Sequence, residues 1–451
     1  MTAARTSLPA EAAAPSRKGG AFDRIFGAGL GKLLRGFGVS TKRDQHDRLF
    51  ELADALLSPR GRASGPALAS AFFTLYEQSP MDARQAFLAK VHDLHPADAQ
   101  AISAAIARWQ RDGDEEAARA LNAATESPSR RLIRLLNLAP QGTQRLIGMR
   151  EDLLAAPDRS PGLKAFDREL ESAFANWFNA GFLELRRIGW DTSARLLERI
   201  IAYEAVHEIK GWDDLRRRLE PVDRRCYGFF HPQMQDDPLI FVEVALTDHL
   251  PGAIHDVIAA EREPIDPRQA SHAIFYSISN CQVGLKGIPF GNYLIKRVVG
   301  LLSDELPQLK TFATLSPVPG FAKWLAKDRP GAAVPEGDEL RSIAARYLVE
   351  AKGTGSQPVD PVARFHLGNG ARLEAVHAGA DLSPNGRKQA HGVMVNYLYD
   401  LDDIEANYFA LTETGTVAIS KAVRALLEEP AETKPAKGKR KGDEPKAAEI
   451  A

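Results

Sequence analysis

The amino-acid sequence predicts an α+β protein, with an all-helical first domain followed by a domain that mixes helices and strands. Alanine-rich stretches with apolar residues at helical spacing fill about residues 40–210. After about residue 220, short β-branched runs with alternating apolar residues predict strands. At 451 residues the chain is too long for one ordinary hydrophobic core, so we expect two folded domains.

The first domain is predicted to be a helical bundle. In QHDRLFELADALLSPRGR, apolar residues from Leu49 to Leu57 recur at helical spacing, and Pro59 with Gly61 ends the run. The same pattern returns in MDARQAFLAKVHDL, ADAQAISAAIARWQRD and LKAFDRELESAFANWFNAGFLELRRI. Their Trp and Phe residues lie at core spacing, which favours helix packed on helix over a cofactor site. The predicted role of this domain is architecture or self-association.

The second domain is predicted to contain a crossover of strand, glycine loop, helix and strand. Strands are predicted at Pro238–Thr247, His272–Ser279 and Leu309–Ser316. Between the last two, a loop with Gly284, Gly287 and Gly291 precedes an amphipathic helix, and Lys286 adds a cation. Such a loop lets phosphate oxygens approach backbone N–H groups. Its spacing is neither G-x-G-x-x-G nor a P-loop, so a phosphate site and a plain turn both stay open.

The stretch TLSPVPGF places Ser316 at a rigid corner. We predict that Ser316 ends the third strand, at the carboxyl edge where open α/β sheets bind ligands. Pro317 forces Ser316 into an extended conformation, and Pro319 suits the first turn of a following helix. A functional hydroxyl and a plain helix cap are both open for Ser316.

A histidine in the stretch ARFHLGNGARLEAV is the second candidate. His366 lies in an apolar, strand-like run before a Gly-Asn-Gly turn, a place where a histidine is often only a packed core residue. Polar company comes from Asn369, Asn396, Tyr397 and Tyr399. No G-x-S-x-G motif is present, and no acidic residue is placed to orient the histidine, so a hydrolase triad is not predicted.

Composition excludes several other classes. The net charge of −1 gives no general attraction for nucleic acid. Cys226 and Cys281 are the two cysteines, too few for a disulfide framework or a multi-cysteine metal site, and they suit a reducing compartment. His92 and His95 lie near a predicted helix end without a set of Cys or acidic ligands, so a metal site is not predicted there. No apolar run reaches the ~18–20 residues of a membrane helix, and we expect no secretory signal.

Five stretches of the second half carry a family resemblance. They are YEAVHEIKGWDDLRRRL, FYSISNCQVGLKGIPFGNYLIKRVV, LPQLKTFATLSPVPGFAKWL, FHLGNGA and NYLYDL, in order over about residues 200–425. In these stretches the chain resembles malonyl-CoA decarboxylases. The resemblance implies a helical oligomerisation domain followed by a GNAT-like α/β acyl-CoA catalytic domain. It also implies conversion of malonyl-CoA to acetyl-CoA and carbon dioxide, with no added cofactor or metal.

The resemblance also assigns site residues. It implies that Ser316 and His366 are catalytic, and that the substrate-binding stretch comprises Lys286, Gly287, Ile288, Pro289, Phe290, Gly291 and Asn292. Animal members often carry an acidic residue where Pro289 stands, so any role of that carboxylate is not transferred. Because imidazole delivers protons near neutral pH, we expect His366 to protonate the enolate. Ser316 would position the leaving carboxylate or relay the proton, and Tyr399 is a candidate for the pocket wall or a core residue.

Domain bounds and partners complete the expectations. We expect a disordered leader at 1–38, a helical domain at 39–188, a catalytic domain at 189–428 and a disordered tail at 429–451. The expected partners are malonyl-CoA and acetyl-CoA, with no nucleic acid and no membrane, in a cytoplasmic homo-oligomer that the resemblance suggests is a tetramer. Two alternatives stay open: an acyl-CoA-dependent acyltransferase on the same fold, and a non-catalytic acyl-CoA-binding protein.

Overall fold

The computed structural model describes residues 45–91, 98–157, 159–288 and 291–428. These residues form two compact units. The first combines the described part of 1–186 with 228–241 and 280–294, and the second combines 187–227 and 242–279 with the described part of 295–451. The predicted leader and tail, together with His92 and His95, lie outside the described residues. The predicted bounds 39–188 and 189–428 stay predictions.

The helices of the first unit follow the predicted amphipathic segments. They are α1 (Gln45–Leu57), α2 (Pro59–Gln78), α3 (Met81–Lys90), α4 (Ala99–Asp112), α5 (Glu115–Thr125), α6 (Pro128–Leu136), α7 (Gly142–Leu154) and α8 (Pro161–Trp177). Ser58, Ser127 and Ser160 each accept a backbone N–H as helix caps, and a proline follows each of them. Pro59 therefore ends α1 as predicted, and it also begins α2 at once.

Aromatic side chains fill much of the core of the first unit, as the spacing predicts. Phe72 and Phe87 are fully buried, with ring centroids 5.2 Å apart, and Phe166 and Phe174 are also fully buried. The prediction is wrong for Phe182, which is 58% exposed, and for Trp109, which is 42% exposed on α4. Its helix buries only Ala105 among its residues, because α4 packs mainly against α5.

The helix predicted through LKAFDRELESAFANWFNAGFLELRRI is wrong in its second half. Helix α8 ends at Trp177, and the Asn179 side chain then accepts the Gly181 N–H to begin a short 3₁₀ turn. Strand β1 (Glu184–Arg187) follows. Asparagine and glycine support turn conformations at little cost, and here they override the apolar spacing that favours a helix.

The remaining elements build a mixed sheet with helices. The strands are β2 (Arg224–Phe230), β3 (Ile240–Thr247), β4 (His272–Asn280), β5 (Thr311–Thr314), β6 (Ser316–Pro317), β7 (Arg372–His377) and β8 (Met394–Leu398). The helices are α9 (Ala194–Tyr203), α10 (Trp212–Leu219), α11 (His255–Ile258), α12 (Gly291–Glu305), α13 (Phe321–Asp328), α14 (Gly337–Val349), α15 (Pro361–Leu367), α16 (Pro384–Ala390), α17 (Ile404–Thr414) and α18 (Lys421–Leu427). In the second unit, β3, β4, β5, β8 and β6 are neighbours in that order, and β7 pairs with β8. The α+β fold class is confirmed.

The predicted crossover is confirmed. Strand β4 runs parallel to β5, with His272 opposite Thr311 and Phe275 opposite Thr314, and α12 lies between them in sequence. The third strand was predicted as one piece over Leu309–Ser316, and this is wrong. Strand β5 ends at Thr314, and Ser316 opens β6, which pairs antiparallel with Val395 of β8. Strand β5 already pairs antiparallel with β8 at Ala313, so the corner forms where the chain leaves β4 and keeps β8 as its partner.

An apolar cluster under this corner anchors it. Leu315 is fully buried with Val257, Ile274, Tyr276 and Met394 in one contiguous cluster of the second unit. Because Leu315 points into that cluster, its neighbours in the alternating strand pattern, Thr314 and Ser316, share the other direction. Over the described ranges, no helix is both long enough and apolar enough to cross a membrane.

Candidate active site

The structure brings Ser316 and His366 together in the second unit. The Ser316 Oγ lies 3.3 Å from the His366 Nε2, and both side chains are buried. The Ser316 hydroxyl also donates to the Thr314 Oγ1 at 2.8 Å. Fifty residues separate the serine and the histidine in sequence, so only the tertiary fold can bring them into contact.

His366 lies on a helix, and the strand-like environment predicted for it is wrong. Helix α15 begins where the Asp360 carboxylate accepts the N–H groups of Val362 and Ala363, and Pro361 takes the first helical position. After the helix, Gly370 adopts a φ of +82°, and a Cβ there would lie 2.2 Å from the Ile404 carbonyl oxygen. The Gly-Asn-Gly turn is therefore the helix end that returns the chain to β7.

Asp360 also joins this helix to the serine corner. Its second carboxylate oxygen accepts the Gly320 N–H at 3.2 Å and the Tyr347 hydroxyl at 3.3 Å. A Cβ at Gly320 would lie 2.2 Å from the Tyr347 hydroxyl oxygen, so only glycine permits this approach. One buried carboxylate thus holds the Ser316–Gly320 segment against the helix that carries His366.

Two expectations for this corner need correction. Helix α13 begins at Phe321 with Gly320 at its N-cap, so Pro319 precedes the first turn and does not lie in it. Ser316 is not a helix cap, because it lies in β6 and its hydroxyl donates to Thr314. The extended conformation that Pro317 imposes on Ser316 is confirmed by its place in a strand.

A chain of hydrogen bonds assigns the proton of the imidazole. The Ser316 hydroxyl donates its proton to Thr314, so the Ser316 Oγ accepts the hydrogen bond from His366. The Nε2 atom of His366 therefore carries a proton. In neutral imidazole the other nitrogen is then an acceptor, and it faces the Tyr399 hydroxyl at 2.8 Å. Tyr397 donates its backbone N–H to the Thr314 Oγ1 at 3.1 Å, and its ring stacks on His366 with centroids 4.7 Å apart.

Burial decides the charge of this cluster. Desolvation lowers the pKa of His366 to about 3, so the imidazole is neutral near pH 7 in the free protein. It also raises the pKa of Tyr397 and Tyr399 well above the usual value, so both phenols keep their protons. The buried Tyr397 hydroxyl has no hydrogen-bond partner within the described part of the chain. The side chains of His366, Tyr397 and Tyr399 are therefore uncharged near pH 7 in the free protein.

The low pKa of His366 predicts acid sensitivity of the fold. An unfolded histidine titrates near 6.5, so between that pH and about pH 3 the unfolded chain holds a proton that native His366 lacks. The stability is complete above pH 6.5 and is lost as the pH falls towards 3. Relative to His366→Asn, the wild type should lose about 1.4 kcal/mol of unfolding free energy per pH unit in this window. Denaturant unfolding of both proteins between about pH 5 and pH 7 measures this; parallel curves would contradict it.

The predicted substrate-binding stretch lies in the first unit, whereas Ser316, His366 and Tyr399 lie in the second. The Lys286 side chain is exposed, Gly287 is exposed with a φ of +89°, and Ile288 is half-buried. Pro289 and Phe290 lie outside the described residues. Gly291 and Asn292 begin α12.

A buried arginine fixes the backbone of this loop. Arg150, on α7, donates from Nη1 to the carbonyl oxygens of Gly284 and Lys286, both at 2.9 Å. Its other guanidinium nitrogens bind Asp167 at 2.8 Å and Glu171 at 2.6 Å. A Cβ at Gly284 would lie 2.2 Å from the Ile147 carbonyl oxygen, so this glycine serves close packing on α7. Gly287, in contrast, is exposed and available to a ligand.

Sequence reasoning missed three residues of the site. Thr314 could have been found, because it lies two residues before Ser316 and strand alternation places both on one face. Asp360 carried the signal of a helix start, an aspartate directly before proline, which would also have corrected the environment of His366. Tyr347 gave no sequence signal, because it lies in α14 whereas its partner Asp360 is thirteen residues later, at the start of α15.

The site excludes one familiar chemistry. A hydrolase triad needs a carboxylate behind the histidine, but His366 Nδ1 faces a tyrosine hydroxyl. Within the described residues, no cluster of three or more His, Cys, Asp or Glu side chains could hold a metal ion. A neutral serine–histidine pair in a buried site instead suits an enzyme that positions a substrate and moves one proton. Such a pair on an α+β fold is compatible with a lyase.

Comparisons with known proteins identify the family. Residues 181–336 and 332–437 match the malonyl-CoA decarboxylase C-terminal domain, and residues 95–178 match the N-terminal domain. The malonyl-CoA decarboxylase structure from Rhodopseudomonas palustris is 48% identical with a TM-score of 0.78, and covers 85% of this chain and 100% of that one. The Agrobacterium vitis structure is 47% identical with a TM-score of 0.78, covering 84% and 99%. The mitochondrial enzyme of Anser anser anser is 33% identical over 66% of this chain and 69% of its own length.

The chain belongs to the malonyl-CoA decarboxylase family, and it is a carboxy-lyase. The predicted family is thereby confirmed. The roles of Ser316, His366, Tyr399 and the 286–292 stretch stay predictions.

Proposed function

We propose that this chain decarboxylates malonyl-CoA through a thioester enolate, which the Ser316–His366 pair positions and protonates. The bond between the carboxylate carbon and Cα breaks, and its electron pair moves into the thioester as an enolate. Carbon dioxide leaves, and Cα takes up one proton, so acetyl-CoA forms with net consumption of one proton. The contact between Ser316 and His366 in a buried site carries this proposal. A water-poor pocket favours loss of the charged carboxylate as carbon dioxide and controls protonation of the enolate.

His366 is the proposed acid, and its low pKa shapes how it acts. The free imidazole is neutral, because burial alone sets its pKa to about 3. A substrate carboxylate or enolate within a few ångströms favours the cationic form and raises that pKa. Binding of the anionic substrate therefore recruits the proton that the reaction consumes. Tyr399 supports both states, since its hydroxyl can donate to a neutral Nδ1 and accept from a protonated one.

Ser316 is proposed to contact the reacting group directly. In the free protein its hydroxyl donates to Thr314, which also accepts the Tyr397 N–H, so Thr314 keeps a partner if the serine turns away. The serine hydroxyl can then donate a hydrogen bond to the substrate carboxylate or enolate, while His366 Nε2 donates to the serine oxygen. Positioning and proton relay thus use the same rotation of one hydroxyl.

The 286–292 stretch is the proposed acyl-CoA-binding loop of a GNAT-like domain. Its support is the exposed Lys286 cation, the freely accessible Gly287 with positive φ, and the helix that starts at Gly291. A helix N-terminus and a nearby cation both favour phosphate oxygens. Arg150 holds the loop backbone in place from behind.

A single incubation tests the reaction and its independence from metal. We expect the purified chain to convert malonyl-CoA alone to equal amounts of acetyl-CoA and carbon dioxide, at an unchanged rate with a chelator present. The reason is that the thioester itself accepts the electron pair. An acyltransferase would need an added amine or alcohol, and a binding protein would give no product. Loss of activity with chelator and recovery with a divalent ion would contradict the cofactor-free reaction.

Self-association is proposed through the α4–α5 hairpin. Helix α4 exposes Ile106 at 41% and Trp109 at 42%, and α5 buries only Ala117 among its residues. These apolar side chains lie on an amphipathic pair within the region that matches the family's N-terminal domain. Covering them with a second copy would remove apolar surface from water.

We expect Trp109→Lys to lower the oligomeric state measured by sedimentation, because a charge would enter the proposed interface. Decarboxylation per chain should persist, since Ser316 and His366 belong to the second unit. Arg108→Lys, at the neighbouring position, is the matched control and should leave the assembly intact. An unchanged oligomer in Trp109→Lys would place the interface elsewhere.

The proposed location is the cytoplasm. Cys226 and Cys281 are buried and are not joined in a disulfide bond, which suits a reducing compartment. The chain is also more similar to the two bacterial structures than to the mitochondrial goose enzyme. Fractionation of the source cells tests this location.

A further inference from the structure

A cavity of about 120 Å³ in the second unit is lined by cationic side chains. Its lining residues are Arg217, Arg218, Pro221, Arg224, Val257, Ile258, Ala259, Ala260, Arg262, Pro264 and Tyr276. No aspartate or glutamate is among these described lining residues. The volume is well below the ~300–1,000 Å³ of sites for drug-sized ligands, so it suits one small ion. None of the proposed catalytic residues lines it.

Arg224 has the most distant carboxylate contact of the four arginines at this cavity. Three of the arginines have close acidic partners: Arg217 binds Asp214, Arg218 binds Glu243, and Arg262 binds Asp223. Arg224 is 3% exposed and donates to the backbone carbonyls of Asp223 and Val257. Its nearest carboxylate oxygen is on Asp223 at 3.8 Å, and that carboxylate already binds Arg262. Burial lowers the pKa of Arg224, as expected for an under-compensated cation.

An unsatisfied hydroxyl lines the same cavity. Tyr276 is 2% exposed, and its hydroxyl has no hydrogen-bond partner in the described ranges. Leaving such a donor unpaired is unfavourable, and native proteins usually supply a partner. An anion in the cavity would accept a hydrogen bond from the Tyr276 hydroxyl, and it would also balance the charge of Arg224. We propose that this cavity binds one small oxyanion, either a phosphate or the carboxylate of a short acid, through Arg224 and Tyr276.

Calorimetric titration of the full chain with inorganic phosphate tests the site. We expect one saturable site in the wild type. Tyr276→Phe removes only the hydroxyl and should weaken binding about 10–100-fold, the usual effect of losing a hydrogen bond to a charged group. Arg224→Lys keeps the charge but loses the planar fork, so it should also weaken binding. Tyr227→Phe, at a buried tyrosine outside the cavity, is the matched control and should bind as the wild type does.

A second set of titrations uses malonate in competition with phosphate and distinguishes the two ligand sources by which one binds more tightly. Equal affinities of the wild type and Tyr276→Phe, or no saturable binding to the wild type, would overturn the proposal. Phosphate binding that acetyl-CoA abolishes would also overturn it, because the cavity would then belong to the thioester site. Retained malonyl-CoA turnover in Tyr276→Phe would show that the variant is folded, so weakened phosphate binding there would support the site.

Discussion

His366→Asn is expected to lower the catalytic rate for malonyl-CoA by about 10²–10⁴-fold, the usual worth of general acid catalysis. Asparagine keeps a polar side chain of similar shape, but it cannot carry the proton that the enolate needs. Because the Ser316 hydroxyl donates to Thr314, the serine keeps that hydrogen bond when the imidazole is replaced. Steady-state release of carbon dioxide measures the loss.

A double-mutant cycle shows whether the pair acts as a unit. Ser316→Ala should also lower the rate, and the double variant should cost far less than the product of the two single losses, because both act in one step. Acetyl-CoA lacks the reacting carboxylate, so its affinity should barely change in any of the three variants. Near wild-type turnover in His366→Asn would show that the acid lies elsewhere.

The strands of the second domain could be predicted because their signal is local. Ile240–Thr247 and His272–Asn280 are alternating, β-branched runs, and their predicted bounds agree with the structure within two residues. The single strand predicted up to Ser316 failed for a tertiary reason. Pairing with β4 ends at Thr314, while antiparallel pairing with β8 continues from Ala313 to Ser316. Nothing in the local spacing encodes the loss of one of two partner strands.

The environment of His366 shows a second limit of prediction from the sequence. Apolar residues around it favoured a strand, yet an aspartate cap and a proline at the first position decide for a helix of seven residues. Contact between His366 and Ser316 could be inferred from family resemblance, but the carboxylate that holds them together could not. Asp360 acts across two segments far apart in sequence, and pairings of this kind are set by the fold.

Asp360→Asn is expected to lower the catalytic rate about 10²-fold with little change in KM, because Asp360 is a positioning residue. The carboxylate accepts four donors: the N–H groups of Val362, Ala363 and Gly320, and the Tyr347 hydroxyl. Asparagine can still cap α15, but its amide NH₂ is a donor and would face another donor at Gly320 or at the cap. The serine corner should then shift relative to His366, and a displacement of ~1 Å in an active site can cost about 10²-fold.

Tyr347→Phe separates this positioning effect from a general loss of stability. It removes one donor to Asp360 and leaves the bond from Gly320 intact, so the corner should stay in place and the rate should stay within a few-fold of the wild type. Burial raises the pKa of Asp360, and its hydrogen-bond donors oppose that rise by favouring the carboxylate. If Asp360→Asn lowers thermal stability but keeps the wild-type rate, then the carboxylate only caps the helix. If the rate falls while acetyl-CoA affinity is kept, the buried carboxylate sets the distance between the serine and the histidine.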